Sequence, residues 1–174
     1  IMEKILDVLN IQRENHDVTV KIIADHIRAA TFLIGDGVLP SNEGRGYILR
    51  KLIRRAFGVG SRTQEKIFGK DDIFLYKFVG TVIKTMENGY PELESKKEYI
   101  EKVVRLEEER FATTLKHGIE ILLDEIEDMK IKGNKKLSSE ISFKLYDTYG
   151  FPLELTQQVI ENEGFEVSEE EFNI

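Results

Sequence analysis

Between Pro40 and Ala56 the run PSNEGRGYILRKLIRRA joins a polar turn to a strongly basic helix, and its residue types suit the binding of phosphates. Ile48, Leu49, Leu52, Ile53 and Ala56 recur at helical spacing and form an apolar stripe, while Arg50, Lys51, Arg54 and Arg55 fall on other faces. From Glu43 to Arg62, six basic residues, Arg45 and Arg62 among them, stand against one acid; this is a local balance of +5 in a chain of net charge −7. Such a contrast is expected of a phosphate-binding face on an otherwise acidic protein. The same residues also fit a solvated helix face whose arginines pair with acid-rich helices elsewhere.

Other chemistries find little support. The carboxylates lie on helix faces without a histidine partner, a nucleophile or a phosphate-cradling loop, so no catalytic residue is assigned. His16, His26 and His117 are the only histidines and have no metal-ligand spacing; with no cysteine, disulfides and thiolate sites are excluded. No apolar run approaches the roughly 18 residues that span a bilayer, and no leader pattern opens the chain, so a cytoplasmic protein without a membrane partner is the simplest expectation. Overall acidity restricts any nucleic-acid contact to a local, shaped one.

The elements that must position the basic run read as helices. A chain of 174 residues can bury roughly 70% of its unfolded surface as one domain, although two small helical lobes also fit the length. With 33% charged residues and three prolines, the expected fold is all-α, with about six to eight helices including one long one. Ile1 to Leu9 forms an uncapped helix. Asp17 is a plausible N-cap for a second, carrying Val20, Ile23, Ile27, Ala30 and Ile34 and ending at Gly35. Ser41 or Asn42 would cap the basic helix, with Gly58 and Gly60 closing it, and Asp71 or Asp72 would cap a helix bearing Leu75, Val79, Val82, Ile83 and Met86.

From about Leu93 to Met129, Ile100, Val104, Phe111, Leu115, Leu122 and Ile126 mark a helix about 55 Å long if unbroken, which Gly118 could bend. Its run Glu107, Glu108, Glu109 interrupts a coiled-coil pattern and favours an intramolecular bundle. Ser138 or Ser139 starts a short helix into Tyr146, Asp147, Thr148, Tyr149, Gly150, Phe151 and Pro152, with the tyrosines expected in the core. Leu153 to Asn162 is helical again, and Ser168 with Glu171 makes a capping box. The expected organisation is one helical domain over 1–174, its main body at 1–165 and a truncated next element at 166–174.

Two stretches carry a resemblance. IADHIRAATFLIGDGVLPSNEGRGYILRKLIRRA, Ile23 to Ala56, and FKLYDTYGFPLELT, Phe143 to Thr156, resemble the blocks that flank the tRNA-recognition domain of bacterial-type alanyl-tRNA synthetases. The resemblance implies a part lying downstream of a class II catalytic domain, without the motifs that bind ATP and alanine and thus inactive alone. It implies no cofactor in this part, ATP and magnesium in the full-length enzyme and zinc in its editing domain. The implied partners are the acceptor stem of tRNA(Ala) and the upstream catalytic domain.

In context, Asn42 and Asp147, 105 positions apart, resemble the family's readers of a G·U wobble pair. The chemistry is apt: the wobble leaves the guanine amine projecting into the shallow A-form minor groove, where a carboxylate can accept from it and an amide can both donate and accept. Arg45, Arg50, Lys51, Arg54 and Arg55 would hold the backbone phosphates, which positions without specifying. By spacing alone, Asn42 reads as a helix cap before a base reader and Asp147 as a helix-end or turn residue; only the paired resemblance reverses that order. A helical scaffold or protein-interaction domain is the alternative to an RNA-binding one.

Overall fold

Helical spacing of apolar side chains becomes helix throughout the residues that the computed structural model describes, 1–61, 63, 72–151 and 153–166. The named elements among them are α1 (Met2–Leu9), α2 (Arg13–Gly35), α3 (Gly44–Ser61), α4 (Tyr76–Met86), a 3-10 turn (Pro91–Lys96), α5 (Lys97–Lys132), α6 (Ser139–Asp147) and α7 (Leu153–Asn162). The all-α expectation is borne out, long helix included. Lys136 and Glu166 form an isolated parallel bridge. Arg62, Asp71, Pro152 and the Ser168–Glu171 box lie outside the described residues, as does the expected last element beyond Glu166.

The chain divides into two compact units, Ile1–Ala112 and Thr113–Ile174. The division falls inside α5, where the helix changes apolar partners. Phe111 meets the Phe57 ring edge-on at 6.0 Å, whereas Gly118 lies against Phe151.

In the first unit α2 is the hub, packing on α1, α3 and α4. Val20, Ile23, Ile27, Ala30 and Ile34 are all buried, as their spacing predicts; each large side chain so buried contributes about 1.5–3 kcal/mol. Asp17 is not the cap: His16 (φ −133°) breaks the helical backbone of α2 and Asp17 is the first helical residue after that kink, where it pairs with Arg13 and Lys21. At the far end, Lys96 Nζ donates to the Gly35 carbonyl at 2.6 Å, satisfying an orphan acceptor of the last turn.

Two glycines expected to close α3 lie inside it. Gly58 and Gly60 are buried and the helix runs to Ser61; a Cβ at Gly60 would strike the Phe74 ring. Gly60 serves close approach rather than termination. The buried stripe is also rotated from the expected one: Leu49, Ile53 and Ala56 are buried with Phe57, but Ile48 is 53% exposed.

The start of α4 is held by another helix. Glu108 of α5 caps it from a distance: its Oε1 accepts from the N–H groups of Phe74 (2.9 Å) and Leu75 (2.7 Å) and its Oε2 accepts from Tyr76 (2.9 Å). A carboxylate thus supplies from α5 what a local cap would have supplied. Burial pushes its carboxyl up to about 7, against the downward pull of the three N–H donors and of Lys77.

In the second unit, Leu115, Leu122, Ile126, Met129, Leu145, Phe151 and Ile160 are buried together with Leu137, the residue after the bridge. α5 passes through Gly118 as unbroken helix, and Phe151 Cδ2 would lie 2.6 Å from a Cβ there. Ser138 occupies the N-cap position of α6 and α7 has the expected bounds.

Candidate nucleic-acid interface

Asn42 lies in the loop between α2 and α3, and that loop is tightly built. Ser41 Oγ donates to the Glu43 carbonyl at 2.9 Å, and the Ser41 N–H donates to the Gly46 carbonyl at 3.1 Å. A Cβ at Gly46 would collide with the Leu39 carbonyl oxygen and the Ser41 side chain, so only glycine lets the loop lie on the first turn of α3. Gly44, at φ +56°, makes the reversal that starts the helix. Because α3 begins at Gly44, neither Ser41 nor Asn42 holds the N-cap position, and the exposed Asn42 side chain is available for another role.

That role begins with Arg50, whose Nη1 donates to Asn42 Oδ1. Arg50 Nε lies 3.5 Å from Glu107 Oε1, and Arg54 Nε donates to the same oxygen at 2.8 Å. The side chain of Glu107 is 2% exposed, those of Arg50 and Arg54 23% and 15%. The Arg54 guanidinium also lies 5.1 Å from the centre of the Phe111 ring. The basic residues of α3 thus differ in surroundings: Arg50 and Arg54 are drawn to a buried acid of α5, while Arg45, Lys51 and Arg55 are exposed. Lys51 Nζ sits 5.5 Å from the Tyr47 ring centre. His26, on α2, is held below its ordinary value by burial and then by the charge of Arg55, against a hydrogen bond that its ring donates to Asp25.

Glu107 and Glu108 are the residues that sequence reading missed, although a signal was present. The inward positions of α5 run Ile100, Val104, Phe111, Leu115, and continuing the three- and four-residue steps from Val104 lands on both acids. They continue the buried face in polar form and do not interrupt it.

In the second unit, Asp147 is the last residue of α6 and is exposed. The turn after it is anchored from below: the Phe151 N–H donates to the Leu145 carbonyl at 2.9 Å, Gly150 takes φ +60°, and the Phe151 ring is fully buried beside Gly118. Tyr146, expected in the core, is 36% exposed, as is Phe143 at 51%, because α6 buries only Ser142 and Leu145. Tyr149 lies edge-on to His117 with ring centres 5.4 Å apart. Among the described residues no three His, Asp or Glu side chains gather where they could hold a metal ion, and no helix is long and apolar enough to cross a membrane.

Comparison with known proteins adds to this geometry. The chain belongs to the class II (A) tRNA synthetases, whose family profile matches residues 1–174. Within that class it is similar to alanine–tRNA ligases. It is 54% identical over 157 residues to that of Ligilactobacillus salivarius, which covers 90% of this chain and 17% of the relative. The alanine–tRNA ligase of Clostridioides difficile is 49% identical over 172 residues, 99% of this chain and 19% of its own length. That of Fusobacterium nucleatum is 50% identical over 154 residues, or 88% and 17%. The chain thus spans less than a fifth of the curated relatives it matches, and they bear out the resemblance carried by the two sequence blocks.

Proposed function

We propose that this chain is the tRNA-reading part of a cytoplasmic alanine–tRNA ligase, recognising the G·U wobble pair of the tRNA(Ala) acceptor stem from the minor groove. The family match over the whole chain, with alanine–tRNA ligases as relatives, is the observation that carries this reading. Asn42 and Asp147 are its base readers, one on each unit. In the wobble pair the guanine amine has no base partner; Asp147, an acceptor only, takes a bond from it, and the Asn42 carboxamide bonds the same edge. A G·C pair already commits that amine. Arg45, Lys51 and Arg55 hold the backbone and set register, with Arg50 and Arg54 contributing from their anchored positions.

Chemistry is supplied elsewhere in the full-length enzyme. An upstream catalytic domain uses ATP and magnesium to activate alanine, and zinc belongs to an editing domain.

Aminoacylation by the full-length enzyme tests the reading with RNA minihelices carrying G·U or G·C. Asp147→Ala should lower kcat/KM for the G·U minihelix by about ten- to a hundredfold, corresponding to about 1–3 kcal/mol for a lost base contact, and leave the G·C minihelix little changed. A scaffold role for the helices predicts equal effects on both RNAs.

A further inference from the structure

We infer that Glu107 is a positioning residue for base reading: through Arg50 it fixes the Asn42 carboxamide with its oxygen toward the protein. Asn42 then offers the RNA an N–H donor and addresses an acceptor, leaving the guanine amine to Asp147. The inference rests on the tRNA-reading function proposed above and divides the labour between its two readers.

Three links carry it. Arg50 Nη1 donates to the Asn42 side chain. A guanidinium has five donors and no acceptor, so only the amide oxygen can face it, and chemistry alone settles which way the amide is turned. Arg50 is held in turn by Glu107, which is 2% exposed with Oε1 3.5 Å from Arg50 Nε. Arg50 Nε and Glu107 Oε2 are both buried without a hydrogen-bond partner among the described residues, so the carboxylate grips Arg50 by charge. A guanine amine approaching Asn42 Oδ1 would meet a cationic donor already seated there. The carboxamide nitrogen suits the acceptors of the same groove instead: guanine N3, uracil O2 or a ribose 2′-oxygen. Asp147 is exposed, lies in the other unit and carries acceptors only.

Binding of the full-length protein to minihelices with G·U or inosine·U at the third pair tests the assignment, since inosine deletes the amine and keeps N3 and the sugar. Inosine should weaken binding about tenfold, as expected for loss of one good base contact. That inosine penalty should persist in Asn42→Ala and vanish in Asp147→Ala. Glu107→Gln should weaken G·U binding about as much as Asn42→Ala, add little in the Asn42→Ala background, and keep the inosine penalty. Arg50→Gln cuts the same link while leaving Glu107 its bond to Arg54, and should behave alike should Glu107→Gln disturb folding. Loss of the inosine penalty in Asn42→Ala would overturn the division of labour. Full additivity of both Arg50→Gln and Glu107→Gln with Asn42→Ala would overturn the positioning role. If neither Asn42→Ala nor Asp147→Ala weakens G·U binding, the base-reading function itself falls, and this inference with it.

Discussion

Glu107 and Glu108 are neighbours on α5, alike in type and almost equally buried, yet their surroundings differ in kind. Glu107 meets side-chain cations, Arg50 and Arg54, brought by α3. Glu108 meets main-chain dipoles, the N–H groups of Phe74, Leu75 and Tyr76 at the start of α4. Two helices are thereby fixed to a third by adjacent carboxylates. The difference lies in what each joint leads to. Glu108 ends in the backbone, where it satisfies orphan donors at the start of α4. Glu107 ends in arginines that extend toward the surface, where one of them reaches Asn42. Charge matched by dipoles anchors the fold; charge matched by long side chains can also transmit position outward.

Replacing the dipole-bound acid should have the largest effect. Glu108→Ala strands three N–H donors at the start of α4, at about 1–3 kcal/mol for each buried group left unsatisfied and partly relieved by entry of water. Urea denaturation should show a loss of about 3–5 kcal/mol; a loss under 1 kcal/mol would break the contrast. The same acid should govern pH dependence near neutrality. Its folded value of about 7 lies above the ordinary 4.5, so between these values the folded chain holds more protons than the unfolded one. That contribution is complete below pH 4.5 and lost as pH rises through 7, for a fall of about 3 kcal/mol across the window. His26, lowered by burial, acts in the opposite direction below pH 6.5. The informative quantity is therefore the difference between the unaltered chain and Glu108→Gln, which should shrink as pH rises from 5 to 8.

Packing around Phe74 offers a smaller test of the same joint. Gly60→Ala drives a methyl into the Phe74 ring, whose own N–H is bound by Glu108. Overpacking of this kind costs about 1–3 kcal/mol. If the joint is rigid, Gly60→Ala and Glu108→Ala should be non-additive in denaturation; simple additivity would mean that the ring moves independently of the cap.

These joints also mark where the sequence stopped being legible. The stripes of α2 and α5 could be read residue by residue, because burial of a helix face follows from local spacing: all five α2 positions and all six on α5 are buried. Gly58 and Gly60 resembled a stop because local propensity says so, and only the ring of Phe74, more than a dozen residues on, gives Gly60 its use. The cap of α4 stood 32 to 34 residues from its donors, beyond any capping pattern. Asn42, Asp147 and the basic helix were visible as types at positions. Which arginines were committed inward was not, since an arginine's partner is set by the helix opposite.

That sorting of arginines yields the smallest effects and the cleanest contrast. Arg54 shares a buried acid with Arg50 and lies over Phe111, so Arg54→Gln should cost about 2 kcal/mol of stability, less than the 3–5 typical of breaking a buried pair because Arg50 still faces Glu107. Arg45 is exposed on the first turn of α3, and Arg45→Gln should leave the denaturation midpoint where it is. Its effect should emerge in RNA binding: a uniform weakening for G·U and G·C minihelices alike, with the slope of log affinity against log salt reduced by about one. The two variants remove the same charge from the same helix. If Arg45→Gln lowered stability as Arg54→Gln does, the division of α3 into an anchored flank and an RNA-facing flank would fail; if Arg45→Gln changed the preference for G·U, Arg45 would be reading the base pair and not the backbone.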